Sequence, residues 1–157
     1  MIVKLIRDDT RGGTLVEFTV TIPLFLSLMF GLVQAGLLLF TSSGLQHGVE
    51  RAARCASVNY SAKQLGLTQS CFAVAPTDVT NSTIQQYAAQ SSWGLVPSSS
   101  SFTVHSPPNA SANCGTDTNG NVVFGYVVSV SYAPTLIGYI FPSVTLNAKS
   151  CFPINIS

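Results

Sequence analysis

The chain has 157 residues, of which 46% are hydrophobic and only 8% are charged, and its formal net charge is +1. This length supports one modest domain plus a membrane segment rather than two full domains. Phosphate binding needs clustered Lys and Arg, so the near-zero net charge gives no reason to expect a nucleic-acid partner. The many hydrophobic residues and low charge also argue against disorder and against a typical cytoplasmic enzyme.

A long apolar segment follows a short basic N-terminus. Lys4, Arg7 and Arg11 precede a run without formal charge from Phe18 to Phe40. As a helix this run spans roughly 34 Å, enough to cross the ~30 Å hydrocarbon core of a bilayer. The basic flank predicts a cytoplasmic N-terminus and an exported remainder. The alternative is a cleaved secretory signal peptide, but its apolar region is normally only about 7–15 residues long.

Glu17 lies at the entry to the apolar run, four residues after the last of two small residues, Gly12 and Gly13. The two glycines provide flexible backbone that a protease can bind in extended form. A charged side chain costs on the order of 2.5–3.5 kcal/mol at the bilayer centre and less near the interface. Glu17 is therefore a candidate functional residue, and the alternative is an interfacial carboxylate that stays hydrated.

The same segment carries a family resemblance. It resembles the processing motif of Flp-type type IV prepilins, which consists of a basic leader, a Gly, four further residues, and then Glu and an aromatic residue. Here these positions are Gly12, Glu17 and Phe18. The longer pattern, which continues through Ile22-Pro23-Leu24 to Phe30-Gly31, is similar to the TadE-like minor pilins of tight-adherence (Tad) systems. One departure is Gly13 at the first position of the mature chain, where larger or methyl-bearing residues are common in such proteins.

The resemblance implies a processing and assembly role for these residues. Prepilin peptidase would cut between Gly12 and Gly13, and Glu17 with Phe18 would set the register with a neighbouring subunit. Pro23, Leu24, Phe30 and Gly31 would belong to the membrane helix. The implied partners are the bacterial inner membrane, the prepilin peptidase and other Tad components, namely the major Flp pilin, other minor pilins and the membrane platform.

The helical pattern continues beyond the apolar run. Leu45, Val49, Ala52 and Ala56 recur at three- and four-residue spacing, which predicts an amphipathic continuation and one helix from about Thr14 to about Val58. The expected organisation is a leader (1–12), a transmembrane pilin-like helix (13–40), its periplasmic continuation (41–58) and a small exported domain (59–157).

The sequence of the exported part predicts a short second helix and a small sheet. The helix is expected from about Val79 to Ser92, with Asp78 or Thr77 as its N-cap. A short strand around Phe102 and Val104 ends at Pro107-Pro108, and residues 109–121 are expected to form a loop. The side chains of residues 122–132 alternate between two faces, which predicts a clear strand, and a last strand is expected over residues 143–151. The fold class is therefore α+β, with the long helix packed on an antiparallel sheet of about three strands.

All four cysteines, Cys55, Cys71, Cys114 and Cys151, follow the apolar run, which suits an oxidising compartment. In a hairpin of the last two strands, the start of the first lies beside the end of the second. Cys114 can thus reach Cys151, which leaves Cys55 for Cys71. Four cysteines allow three pairings, so two rival pairings stay open, as do four free thiols in a reducing compartment.

No catalytic or metal-binding constellation is visible. The chain has no Ser/His/Asp arrangement, metal-ligand spacing or phosphate-binding Gly loop, so we expect no enzyme activity, cofactor, metal or small-molecule substrate. The expected function is that of a minor pilin or pseudopilin that primes, tips or anchors a Flp-type pilus used in surface adherence. A membrane-tethered periplasmic binding or scaffold module is the alternative, and a secreted enzyme is disfavoured.

Overall fold

The computed structural model describes residues 10–68, 70–72, 74–134 and 144–154. The chain forms two compact units, residues 1–37 and 38–157. Single-turn 3₁₀ helices lie at Pro76–Asp78, Ser99–Ser101 and Ala110–Ala112. The helices and strands, in chain order, are α1 (Thr10–Gln64), α2 (Asn81–Ser91), β1 (Phe102–His105), β2 (Asn113–Thr116), β3 (Val122–Tyr132) and β4 (Leu146–Pro153).

Helix α1 is longer at both ends than the sequence predicted. It begins at Thr10 and continues six residues past the expected end at Val58. It ends where Gly66 adopts a φ of +68°, and the N–H of Leu67 donates to the carbonyl of Ala62 at 2.9 Å. This is the usual glycine-dependent way of closing the last helical turn. Gly66 was therefore the termination signal in the sequence.

The N-cap of α2 differs from the expected one. Thr80, rather than Asp78 or Thr77, caps the helix, and its hydroxyl accepts a hydrogen bond from the backbone N–H of Thr83 at 3.4 Å. The Thr83 hydroxyl accepts in turn from the backbone N–H of Thr80. The reciprocal pair is a capping box in which Thr takes the place of the more common Glu or Gln, and for this reason the sequence pattern did not reveal it.

Among the described residues, the sheet has four antiparallel strands rather than about three. Strand β3 pairs with each of the other strands, and its partner β4 runs beside it from Gly125 opposite Pro153 to Tyr132 opposite Leu146. The additional strand, β2, lies in the segment that was expected to be a loop. It is polar and mostly exposed, so it lacks the apolar alternation by which strands are recognised.

The core of the second unit joins α1, α2, β1, β3 and β4. Its central members are fully or almost fully buried, and the α1 positions predicted to form the apolar face are among them. The expected α+β fold, with a long apolar helix, a short second helix and an antiparallel sheet packed against the long helix, is confirmed. The buried residues are Leu45, Val49, Ala52, Ala53 and Ala56 of α1, Ile84 and Ala88 of α2, Phe102 of β1, Val128 and Val130 of β3, and Ala148 of β4.

Trp93 packs against α1 just after the end of α2. Its ring centroid lies 4.4 Å from that of His47, and the Nδ1 atom of His47 is 3.3 Å from the carbonyl oxygen of Ser91. His47 therefore helps to hold the end of α2 on α1.

Candidate functional site

Residues 15–40 of α1 expose large apolar side chains along the helix. A helix that is apolar on every side is stable against lipid or against other protein surfaces, not in water. Among the described residues, one helix is long and apolar enough to cross a membrane, judged by length and composition. The large exposed residues are Leu15, Val16, Phe18, Val20, Leu24, Phe25, Leu26, Leu28, Met29, Phe30, Leu32, Val33, Leu37, Leu39 and Phe40.

The hydroxyl groups in this segment are satisfied within the helix. Thr19 donates to the carbonyl of Leu15 at 2.7 Å, and Thr21 donates to the carbonyl of Glu17 at 2.8 Å. Ser27 donates to Leu24 in the same way. Because a bilayer interior offers no water to unpaired polar groups, these internal hydrogen bonds suit the helix to an apolar environment.

Gln34 is a polar residue of this helix that the sequence analysis missed. Its Oε1 atom is buried and has no hydrogen-bond partner among the described residues. Gln34 is the single amide side chain between Phe18 and Phe40, which was the available signal. Amide side chains in apolar helices commonly form hydrogen bonds between neighbouring helices.

The residues of the expected processing motif all lie on α1. Gly12, Gly13, Glu17 and Phe18 fall within its first turns, because the helix begins at Thr10. Glu17 and Phe18 are exposed, and a Cβ atom at Gly13 would have no atom within 4 Å. The first nine residues of the expected leader lie outside the described residues.

The residues expected in the membrane helix lie on the same element. Pro23 is inside α1, Leu24 and Phe30 are exposed, and Gly31 has open space around it. Thus one continuous helix carries the glycine pair, the acid and the apolar residues in the order that the sequence motif requires.

Two disulfides lie in the second unit. Cys55 of α1 is bonded to Cys71 in the following loop, with their Cα atoms 5.9 Å apart. Cys114 of β2 is bonded to Cys151 of β4, with their Cα atoms 5.5 Å apart. These are the two pairs that the hairpin geometry favoured over the rival pairings. Such bonds persist in oxidising compartments, which suggests an extracytoplasmic location for this unit.

The second unit also has an open cavity of about 350 Å³ beside the C-terminal end of α1. Tyr60 and Tyr126 meet there edge to face, with ring centroids 6.3 Å apart. Burial, and to a smaller extent the neighbouring Tyr60, raises the pKa of Tyr126 above its usual value. The two tyrosines come from α1 and β3, so nothing in the sequence indicated that they meet. The cavity is lined by Asn59, Tyr60, Lys63, Gln64, Val79 and Tyr126.

Within the part of the chain that the structure describes, no group of three or more His, Cys, Asp or Glu side chains could hold a metal ion. The apolar helix with its N-terminal motif and the cavity of the second unit are the candidate functional features.

Comparison with known proteins gives a family match over one part of the chain. Residues 12–54 match the TadE family model, described as TadE-like protein. This range covers the glycine pair, the acid, the apolar run and the start of the buried face of α1. No curated protein and no solved structure matches the chain.

Proposed function

The chain carries a TadE-like family domain at residues 12–54, and from this premise we propose that it is a minor pilin or pseudopilin that assists the assembly of a Tad (Flp-type) pilus. Its role would be to prime, tip or anchor the fibre that mediates surface adherence. The alternative is a membrane-tethered periplasmic binding or scaffold module that never enters a fibre.

One observation carries this proposal. Helix α1 presents its apolar side chains on all sides from Phe18 to Phe40, and this run follows Gly13 and comes directly after Glu17. Such a helix fits first a bilayer and then the packed helices of a fibre core, because both environments are apolar. A simple membrane anchor needs the apolar run but has no need of the glycine–acid motif before it.

The processing step would remove residues 1–12. Prepilin peptidase would act at the cytoplasmic face on the bond between Gly12 and Gly13. Both glycines lie in α1, so the first turns must unwind to reach the protease in extended form. Each glycine destabilises a helix interior by roughly 0.5–1 kcal/mol relative to Ala, which lowers the cost of this unwinding.

Glu17 would act in assembly. Cleavage at this site creates a new amine at Gly13, and Glu17 lies four residues after that new N-terminus. We infer that its carboxylate pairs with the freed amine of a neighbouring subunit. Because attraction between opposite charges strengthens as the dielectric constant falls, a pair in the apolar fibre core would fix the axial register.

The proposed topology follows from the charges and the cysteines. Lys4, Arg7 and Arg11 would keep the N-terminus in the cytoplasm, α1 would cross the inner membrane once, and the disulfide-bonded unit would be periplasmic. Its partners would be the prepilin peptidase, the major Flp pilin, other minor pilins and the membrane platform, and an extracellular pilus would be the fibre into which it is incorporated.

The intact mass of the protein extracted from membranes tests the proposal. We expect the mass of a chain that begins at Gly13, and we expect the same species in the sheared pilus fraction. A full-length chain that is absent from that fraction would favour the tethered periplasmic module instead. The mass of a chain that begins after Thr41 or Ser43, which are small residues just past the apolar run, would indicate a cleaved secretory signal peptide.

A further inference from the structure

We propose that the cavity between α1 and β3 binds the carboxylate-bearing ring of a sugar acid. The cavity lies within the second unit and has a volume of about 350 Å³. Ligand pockets of proteins range from about 300 to 1,000 Å³, so the space suits a single ring rather than an extended ligand. The inference is independent of the pilus assignment, because it rests on residues 59–64, 79 and 126 alone.

The charge of the lining favours an anionic group. Lys63 is the cation among the six lining residues, and none of the six is an acid. Lys63 lies in the last turn of α1, and an ammonium group has three hydrogen-bond donors and no acceptor. A carboxylate that enters the cavity would therefore meet an opposite charge with no competing acid in the lining.

The hydroxyl groups in the cavity are available to a ligand. Among the described residues, the side-chain hydroxyls of Tyr60 and Tyr126 have no hydrogen-bond partner. Burial raises the pKa of Tyr126, so its phenol stays protonated and can donate at neutral pH. The amide of Gln64 adds both a donor and an acceptor at the rim. This mixture suits a ligand that carries hydroxyl groups as well as a carboxylate.

The apolar part of the lining favours a ring over a bare anion. Tyr60 and Tyr126 meet edge to face, and Val79 supplies an aliphatic wall. A pyranose ring has C–H groups on its faces and hydroxyls at its edge, so it can cover an aromatic ring while its polar edge is hydrogen-bonded. Acetate and phosphate would use the charge of Lys63 but would leave these walls hydrated.

The test uses the full chain in micelles of a detergent without a sugar headgroup, with the tyrosine ring resonances followed by NMR. D-glucuronate is the probe, and D-glucose and acetate are the comparison ligands. We expect shifts at Tyr60 and Tyr126 with a dissociation constant on the order of 1 mM, as for a weakly bound ligand of this size. Glucose and acetate should each bind at least about tenfold more weakly, since each lacks one part of the recognition.

Matched variants separate the cavity from general charge. Lys63→Gln should weaken glucuronate binding by about tenfold or more, because a charged hydrogen bond is lost. Tyr126→Phe keeps the ring and should weaken binding by about threefold to tenfold. Lys149→Gln, which removes an exposed cation on β4 outside the cavity, should leave binding unchanged. Circular dichroism of each variant confirms that the fold is retained.

Several results would overturn the proposal. The first is that glucuronate shifts the ring resonances of neither tyrosine at about 20 mM, which is 20-fold above the expected dissociation constant. The second is that the Lys63→Gln and Lys149→Gln variants lose glucuronate binding to the same extent. Tighter binding of a short peptide through its terminal carboxylate would assign the cavity to protein rather than sugar. Two further results would support the proposal and would identify the source of the ring. A uronic acid oligosaccharide that binds more tightly than glucuronate would identify the end of a polysaccharide as the source. Equal binding would support free sugar acid as the source.

Discussion

Gly48 of α1 lies so close to Ala88 of α2 that a Cβ atom at position 48 would be 2.7 Å from the carbonyl oxygen of Ala88. The same atom would also overlap the hydroxyl of Ser92. Real Cβ atoms are essentially never found so near a backbone oxygen, so the two helices pack at a distance that only glycine allows.

The first prediction follows from this contact. Gly48→Ala should lower the free energy of unfolding of the second unit by about 1–3 kcal/mol, because overpacking outweighs the roughly 1 kcal/mol gained from better helix propensity. Gly36→Ala, at a helical position with open space, is the control and should not destabilise that unit. Denaturant unfolding followed by Trp93 fluorescence measures both, and equal stability of the two variants would contradict the close packing.

The second prediction concerns processing. Gly12→Val should leave the protein at full length, because a branched side chain would not fit where the peptidase accepts glycine. Gly36→Val, in the same helix but outside the motif, should still be shortened. Intact mass spectrometry distinguishes the products. Removal of residues 1–12 from the Gly12→Val protein would show that the peptidase does not read this glycine.

The third prediction concerns Glu17. Glu17→Ala should preserve membrane insertion, since it removes a charged group from the entry of an apolar helix, yet it should reduce the amount of sheared pilus by loss of register. Thr21→Ala is a nearby control that removes a hydroxyl which donates to the Glu17 carbonyl and leaves the carboxylate in place. Unchanged piliation of the Glu17→Ala strain would refute the pairing role and leave a hydrated interfacial carboxylate as the better account.

The fourth prediction concerns the disulfides. Peptide mapping without reduction should yield Cys55 linked to Cys71 and Cys114 linked to Cys151. Removing either bond should cost about 2–4 kcal/mol of stability, because the unfolded chain regains loop entropy. The residues of the second pair lie 37 apart in sequence and those of the first 16 apart, so the second loss should be the larger. Four alkylatable thiols would contradict both the pairing and the exported location.

The fifth prediction concerns pH and the turn between β2 and β3. The backbone N–H of Asn121, 2.8 Å from the carboxylate of Asp117, lowers the pKa of that group below 3.8, with further hydrogen bonds from Asn119 and from the Asn121 side chain. Because the folded pKa is below the unfolded one, these hydrogen bonds stabilise the turn above pH 3.8 and are lost as the pH falls through the folded pKa. An NMR titration of the Asp117 carboxyl carbon with a midpoint at or above 3.8 would contradict this.

The sequence indicated the long helix, the strand from Val122 to Tyr132 and its hairpin partner, because each has a periodic apolar pattern. It did not indicate β2, whose polar residues are placed by pairing with β3. The Thr80 cap was also missed, because Thr83 fills the position where Glu or Gln usually marks a capping box. These elements depend on hydrogen bonds to neighbouring residues, which hydropathy does not encode.

The sequence by itself determined the apolar helix and its motif. The hydrophobicity, the charge and the positions of small residues from Gly12 to Phe40 are properties of that segment alone and do not depend on the rest of the fold. Only the tertiary structure decided which distant residues meet. Tyr60 and Tyr126 share a cavity because α1 packs on β3, and Gly48 faces Ala88 because two helices approach closely. Contacts of this kind arise from the shape complementarity of a whole core, and no local stretch of sequence contains that information.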